Sequence, residues 1–535
     1  MGQNLQGFND VVSFDSWMGH SLCITVSDRF EGVCAPLIDG SCILSSSTAA
    51  NYEELPYTNN AIVTSYPLTL ATVATLHGIQ APDPRRSRVL ELGCGRGGNL
   101  LPMAESLPGS RFVGIDRSPR QIEEACADRE TLGLENVEFH VQDFLDVGQH
   151  YGDFDFILGH GVYSWVAPSM QEAILRICGA LLAADGIANL SYNTFPGWHY
   201  RGVLRDMLRY HTDSDASVTA QVEQARSLFE WVARDIPDRS GLRSQLIVEE
   251  CQLLMRQADG YIFHDQLEPE NHPCYFHEFA ARAAAHGLQY VAEAQAQPLL
   301  TDIPATAHLA IREAAKNDRV RYEQYLDFLV HRTFRRTLLC RAGPRVFTEP
   351  QAEQLRCCQF KGIASPTNVG ADLASSDPLT FQTTDDVRFT SEHPAVKTTL
   401  TTLYEMGPVA VPFEALAERT APRLGFDSPG AIEPLLVDLL MACYHRGVVK
   451  VYRTAPVFFP QVSERPVASP AARLQAGGDS RVTNREHRSI SLGEFDRFVL
   501  RHMDGTRDRD ALLAALSAGA RSGKLKLKTE LADLA

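Results

Sequence analysis

The reading of this chain turns on one stretch, "RVLELGCGRGGNLLPMAESLPGSRFVGIDRS", Arg88 to Ser118. An apolar run, Arg88 to Leu92, falls directly into Gly93-Cys94-Gly95-Arg96-Gly97-Gly98. A helical run follows, and then a second apolar run that ends at Asp116. Strand, glycine turn, helix and strand form the opening unit of an open α/β sheet. The space at the carboxyl end of its first strand is a ligand crevice. Glycine there lets backbone approach a ligand closely and take positive φ.

Working outward, strand and helix signals alternate from about residue 52 to 200. Strands are expected at 88–92, 111–116, 137–142, 154–159 and 186–192, and helices at 67–79, 97–107, 118–132 and 169–184. That alternation predicts a parallel, doubly wound sheet. Residues 201–257 read as helices. "YFHEFAARAAAHGLQYVAEA", 275–294, reads as helix, glycine stop and strand, so the sheet is expected to resume near 286–300 after a helical insertion.

Composition bounds the class. A chain of 535 residues is too long for one core. Lys+Arg number 50 and Asp+Glu 66, a net charge of −16. Such a chain is a poor general binder of nucleic acid or anionic membrane, so no nucleic-acid partner is expected. No apolar run approaches the length of a bilayer span, so an integral membrane protein is not expected. The 12 cysteines include no CxxC, which reads as reduced thiols in the cytoplasm. His272, Cys274 and His277 invite a metal reading, but a fourth ligand at usual spacing is missing and no metal is expected.

The chemistry lies at the strand ends. "GCGRGG" fits G-x-G-x-x-G, a weak dinucleotide pattern. It also fits acidic-x-G-x-G-x-G, with Glu91 two residues before Gly93. A carboxylate there would repel a pyrophosphate but suits a ligand with an ammonium and a sulfonium, which is S-adenosylmethionine. Asp116 is placed to accept ribose hydroxyls, as it would be for a dinucleotide. Asp143 and Phe144 end the third strand, where a carboxylate can accept the adenine amino group and a ring can cover the base. The fourth strand runs into Gly159-His160-Gly161. Methyl transfer is an in-line displacement, so the protein must position a nucleophile, and an amine must arrive deprotonated. The candidates are His160, Tyr163, Trp165, Tyr192 and Asn193, a polar and aromatic trough able to hold an amine.

These segments resemble the class I S-adenosylmethionine-dependent methyltransferases, and more closely the bacterial branch with a methyltransferase regulatory domain. That branch includes the outer-membrane-protein lysine methyltransferases. The resemblance rests on "YEELPY" (52–57), "LELGCGRGGNLLPMA", "GIDRS", "GHGVYSWV", "LSYNTFPGWHYRGVLRDMLRYH", "EPENHPCYFHEFAARAAAHGLQYVAEA", "YLDFLVHRTFRRTLLCR" and "VTNREHRSISLGEFDRFVLRHMDGTRDRDALLAAL". It spans most of residues 52–520 and implies a cofactor set of Glu91, Gly93, Gly95, Gly97, Asp116 and Asp143. Asn99, Phe144, His160 and Tyr66 complete the expected set. Tyr66 is a departure, since the family pattern leads one to expect a histidine before Pro67. The resemblance also implies a seven-stranded, Rossmann-like sheet, a helical regulatory region and a C-terminal winged-helix-like α+β domain.

The expected organisation is an extension over 1–50, a cofactor-binding core over 51–200, and a helical regulatory region over 201–355. A winged-helix-like domain (356–458), a linker (459–485) and a small helical unit (486–535) follow. The expected acceptor is a protein or peptide amine, with lysine favoured by the resemblance. The extra domains would select it or build a homodimer that frames it, leaving cofactor binding to the core. Rival readings are a small-molecule methyltransferase, a non-catalytic cofactor-binding regulator and, weakest, a dinucleotide oxidoreductase.

Overall fold

The computed structural model describes Leu55 and residues 60–236, 241–295, 303–383, 387–459, 461–478 and 480–525. The extension expected over 1–50 lies outside the described residues. The described residues divide into two compact units: residues 352–453 form one, and those from Leu55 to Gln351 together with those from Thr454 form the other.

The larger unit is built on a seven-stranded sheet. Its strands are β1 (Arg88–Leu92), β2 (Arg111–Asp116), β3 (Val137–Val141), β4 (Phe154–Gly159), β5 (Leu182–Asn193), β6 (Leu288–Glu293) and β7 (Phe334–Arg341). They lie in the order β3-β2-β1-β4-β5-β7-β6. Strands β1 to β5 run parallel, and β7 runs antiparallel to both β5 and β6. Helices α1 (Pro67–Leu76), α2 (Leu100–Ser106), α3 (Pro119–Leu132) and α4 (Pro168–Leu181) cover the sheet, as the alternating pattern requires. One face buries Val89, Phe156, Leu158 and Ile187 against α1 and α2. The other buries Leu90, Ile157, Leu190 and Tyr192 against α4 and α8 (Phe276–Ala285). Between α4 and α8 come α5 (Gly197–His211), α6 (Val218–Asp235) and α7 (Leu242–Met255), which share their own core around Leu208, Phe229 and Cys251.

Strand β7 corrects the sequence reading, which ran a helical block through "HRTFRRTLLCR". The helix α10 (Arg319–Val330), preceded by α9 (Ala305–Ala314), stops before it. Arg335 looks like a surface residue in sequence but is fully buried in β7. Asp327, Glu293 and Glu323 neutralise it, with contacts of 2.8, 2.7 and 3.0 Å. A buried arginine needs such partners, and they come from α10 and β6.

The smaller unit holds α11 (Pro394–Glu405), α12 (Phe413–Thr420) and α13 (Pro429–His445) with two three-stranded sheets. The stretch 356–385, which opens the domain expected over 356–458, supplies β8 (Gln359–Gly362), β9 (Ala364–Pro366) and β10 (Leu379–Thr383). The remaining strands are β11 (Arg388–Ser391), β12 (Val411–Pro412) and β13 (Val449–Tyr452).

The expected linker, 459–485, is also corrected. It contains α14 (Pro470–Gly478) and β14 (Arg481–Thr483), which pairs with β15 (Ser489–Ser491). Helices α15 (Glu494–His502) and α16 (Arg509–Arg521) follow. Proline, serine and glycine crowd this stretch, but Ala472, Ala476 and Val482 give it a small core.

Candidate functional site

The glycine turn continues the β1–β2 pairing. Gly93 and Cys94 N–H both donate to Ile115 O, at 2.8 and 3.1 Å. Gly95 takes a left-handed φ of +52° and donates its N–H to Asp116 Oδ2 at 2.9 Å. Gly97 has φ +75°, and a Cβ there would meet the Phe139 ring at 2.7 Å. The turn can therefore carry no side chains at these points. Asp116 Oδ1 accepts from Ser118 N at 3.0 Å, and the Arg117 backbone also bonds this carboxylate, which leaves it room for a further donor.

Glu91 is 4% exposed. Its Oε1 accepts from Asn99 Nδ2 at 2.6 Å, and its Oε2 has no partner. Asn99 Nδ2 also donates to Ser65 Oγ at 3.0 Å, and its Oδ1 accepts from Ile62 N at 2.9 Å. Desolvation pushes Glu91 up to about 8 and Asp116 up to about 6. Two buried acids facing one glycine crevice suit a cationic ligand, whose charge would offset that desolvation. They disfavour a pyrophosphate.

Asp143 is half-buried and caps the following turn, accepting from Leu145 N at 3.0 Å. Four expected residues are placed elsewhere. Phe144 is fully buried in the core under β1 and β4 and does not line the crevice. Tyr66 hydrogen-bonds Ser106 Oγ at 3.1 Å and belongs to the core beneath α1 and α2. Tyr163 and Tyr192 pack together against Phe279, at ring distances of 5.2 and 4.1 Å. Tyr192 Oη bonds Thr337 Oγ1 at 3.0 Å. Both tyrosines sit on the sheet face opposite Glu91, because neighbouring strand residues alternate faces.

That alternation brings other candidates together. Glu91 registers with Leu158 and Leu158 with Asn189, so Glu91, His160, Ser191 and Asn193 share one face. His160 is buried, and neither ring nitrogen has a partner. Desolvation and the nearby Arg336 push it down to about 3, so it is neutral near pH 7. Asn193 is locked by Ser164 Oγ on its N–H at 2.8 Å and by Asn271 Oδ1 on its Nδ2 at 3.0 Å. Its Oδ1 has no partner. Trp165 is buried edge-on to Trp198 at 6.2 Å. Ser164 and Asn271 were not singled out in the sequence reading. They act through the Asn193 backbone and amide, and nothing in their spacing announces this.

Among the described residues no group of three or more His, Cys, Asp or Glu is arranged to hold a metal ion. His272 pairs with Glu270 at 2.5 Å and His277 with Gln324 at 3.0 Å.

Three family models lie along the chain. Residues 85–223 match a methyltransferase domain and 258–341 a predicted methyltransferase regulatory domain. Residues 464–534 match the C-terminal winged helix domain of PKMT. The uncharacterized protein RP789 of Rickettsia prowazekii is 33% identical over 491 residues, 90% of this chain and 88% of that one. The chain belongs to this family of methyltransferases with a regulatory domain. The structure of PKMT2 from Rickettsia typhi in complex with AdoHcy superposes with a TM-score of 0.82 at 28% identity, covering 88% of this chain and 93% of that one. A cyanobacterial relative, the uncharacterized protein sll1526 of Synechocystis, is 28% identical over 310 residues. This methyltransferase uses S-adenosylmethionine, the cofactor that the acidic crevice fits. Its winged-helix segment is α14 to α16 with the β14–β15 hairpin, and the match does not fall on 356–458, where the sequence reading expected it.

Proposed function

We propose that the enzyme methylates an amine, the side-chain nitrogen of a lysine, on a protein or peptide acceptor. The observation that carries this is the pair of unpartnered acceptors at the ends of β4 and β5, His160 and Asn193 Oδ1. Buried acceptors without donors call for a ligand that brings N–H groups.

The residues that would hold the cofactor are Glu91 for its amino group, Asp116 for its ribose and Asp143 for its adenine. When bound, S-adenosylmethionine supplies an electrophilic methyl group on a sulfonium. Asn193 Oδ1 orients the incoming nitrogen, and neutral His160 accepts an N–H. Arg336, whose guanidinium lies 4.9 Å over the Phe334 ring, adds positive charge beside them. That charge disfavours the ammonium form of the acceptor and so favours the nucleophilic amine. Trp165 and Trp198 wall the space against water.

A cleft of about 370 Å³ opens beside the chain that leaves Asn193, lined by Pro196, Gly197, His199, Tyr200, Glu250 and His331. It is suited to an extended polypeptide. The similarity to a PKMT supports the same reading. The nine described cysteines are all free thiols, which fits a reducing cytoplasm, and no described helix is long and apolar enough to cross a membrane. A homodimer that frames the acceptor is compatible with this assignment. The test is incubation with methyl-labelled cofactor and a soluble-plus-membrane lysate. Label in acid-precipitable protein, released as methyllysine on hydrolysis, is the expected result. Label only in small molecules overturns it.

A further inference from the structure

We propose that His487, in the hairpin loop between β14 and β15, is a positioning residue for the cofactor, acting through Asn99 on Glu91. This rests on the reading that Glu91 receives the cofactor's amino group.

The loop is tightly built. Asn484 Oδ1 accepts from Glu486 N and Arg488 N, both at 2.9 Å. His487 N–H donates to Asn484 O at 3.0 Å. His487 itself has φ +58°, a left-handed conformation that a side chain of this size adopts at a cost. The conformation drives its ring inward, leaving the residue 2% exposed. The ring stacks on Tyr66, 4.6 Å between centroids at 20°. This accounts for the tyrosine before Pro67: it is a platform for the hairpin.

His487 Nε2 lies 2.8 Å from Asn99 Oδ1. Asn99 Nδ2 faces two acceptors, Glu91 and Ser65, so Oδ1 must be the oxygen and His487 must donate. The amide of Asn99 is therefore held in one orientation by four bonds. Two donors, Ile62 N–H and His487 Nε2–H, fix its oxygen; two acceptors fix its nitrogen. The consequence falls on Glu91: Oε1 is tied down, and the unpartnered Oε2 is left for a ligand. Helix α2, which begins immediately after Asn99, is gripped by the same module. Glu105 Oε2 accepts from Ser469 Oγ at 2.9 Å and from Ala471 N at 2.7 Å, capping α14. The proposal runs against the expectation that the C-terminal half leaves cofactor binding to the core.

The experiment compares two probes by calorimetry on the full chain. S-adenosylhomocysteine carries the amino group; 5′-methylthioadenosine lacks the whole amino-acid arm. His487→Phe keeps the stack on Tyr66 and removes the donor. It should weaken S-adenosylhomocysteine about tenfold and leave 5′-methylthioadenosine unchanged. His487→Gln, which retains an N–H donor, should recover part of the loss. Equal loss of both probes would mean a merely structural role and overturn the proposal, as would unchanged affinity for both. Glu91→Gln separates the two layers. If it weakens S-adenosylhomocysteine while His487→Phe does not, only the positioning role fails. If Glu91→Gln has no effect, the Glu91 reading fails and the proposal with it.

Discussion

The two ends of the site differ in how their polar atoms are satisfied. At β1 and β2, Glu91 and Asp116 are held by Asn99, Gly95 and Ser118, with one carboxylate oxygen left over. At β4 and β5, neither ring nitrogen of His160 has a hydrogen-bond partner and Asn193 keeps a bare oxygen. The first end is finished before any ligand arrives, as suits a cofactor of constant shape. The second supplies acceptors that only an incoming group can satisfy. Preorganisation is thus concentrated on the constant partner, while the variable partner completes its own half.

The largest effect should come from the finished end. Asp116→Ala removes the anchor of Gly95 as well as the ribose contacts proposed for it, each worth roughly 1.5–3 kcal/mol. Cofactor binding should disappear in calorimetry while the circular dichroism spectrum persists; retained affinity would break the comparison. Next comes the open end. Asn193→Ala should lower kcat by up to about 100-fold, since misplacing a nucleophile by an ångström costs that much. Cofactor affinity should not change, and a parallel loss of affinity would merge the two ends into one.

A pH titration sharpens the contrast. Glu91 is raised from 4.5 to about 8 and Asp116 from 3.8 to about 6. These two carboxyls therefore hold more protons in the folded chain than in the unfolded one across roughly pH 4 to 8, and their contribution to the stability of the ligand-free protein falls as pH rises through that window. Binding of a cationic amino group needs ionised Glu91, so affinity for S-adenosylhomocysteine should climb from pH 6 to 8 by up to about tenfold per unit. Glu91→Gln should flatten the climb. The smallest effects belong to the tyrosines behind the sheet. Tyr192→Phe should cost about 1 kcal/mol of stability for its bond to Thr337, and neither it nor Tyr163→Phe should alter kcat. A drop in kcat for either would return these rings to the site.

Short-range spacing was legible in the sequence. Glu91, the three glycines and Asp116 lie within one strand-turn-helix-strand unit, whose geometry follows from local rules. The aromatic candidates were not separable in the same way. Tyr192 and Asn193 are neighbours in sequence, yet strand alternation sends one into the core and the other to the site. Phe144 likewise follows Asp143 but packs inward. Strand β7 was hidden because its buried Arg335 takes its counter-charges from α10 and β6. The winged-helix segment was misplaced because its proline- and glycine-rich entry has the composition of a linker. His487 could not be assigned a role, since its partner Asn99 is 388 residues away.

That separation bears on how the enzyme is made. Chains emerge from the ribosome at about 5–20 residues per second. Asn99 therefore exists for roughly 20 to 80 s before His487 is synthesised, given 388 intervening steps. Throughout that interval the nascent sheet can form its glycine turn without the clamp behind it. A chain interrupted anywhere before the hairpin carries the motif and not its fastening. On the proposed role of His487, firm retention of the methyl donor becomes a property of finished molecules.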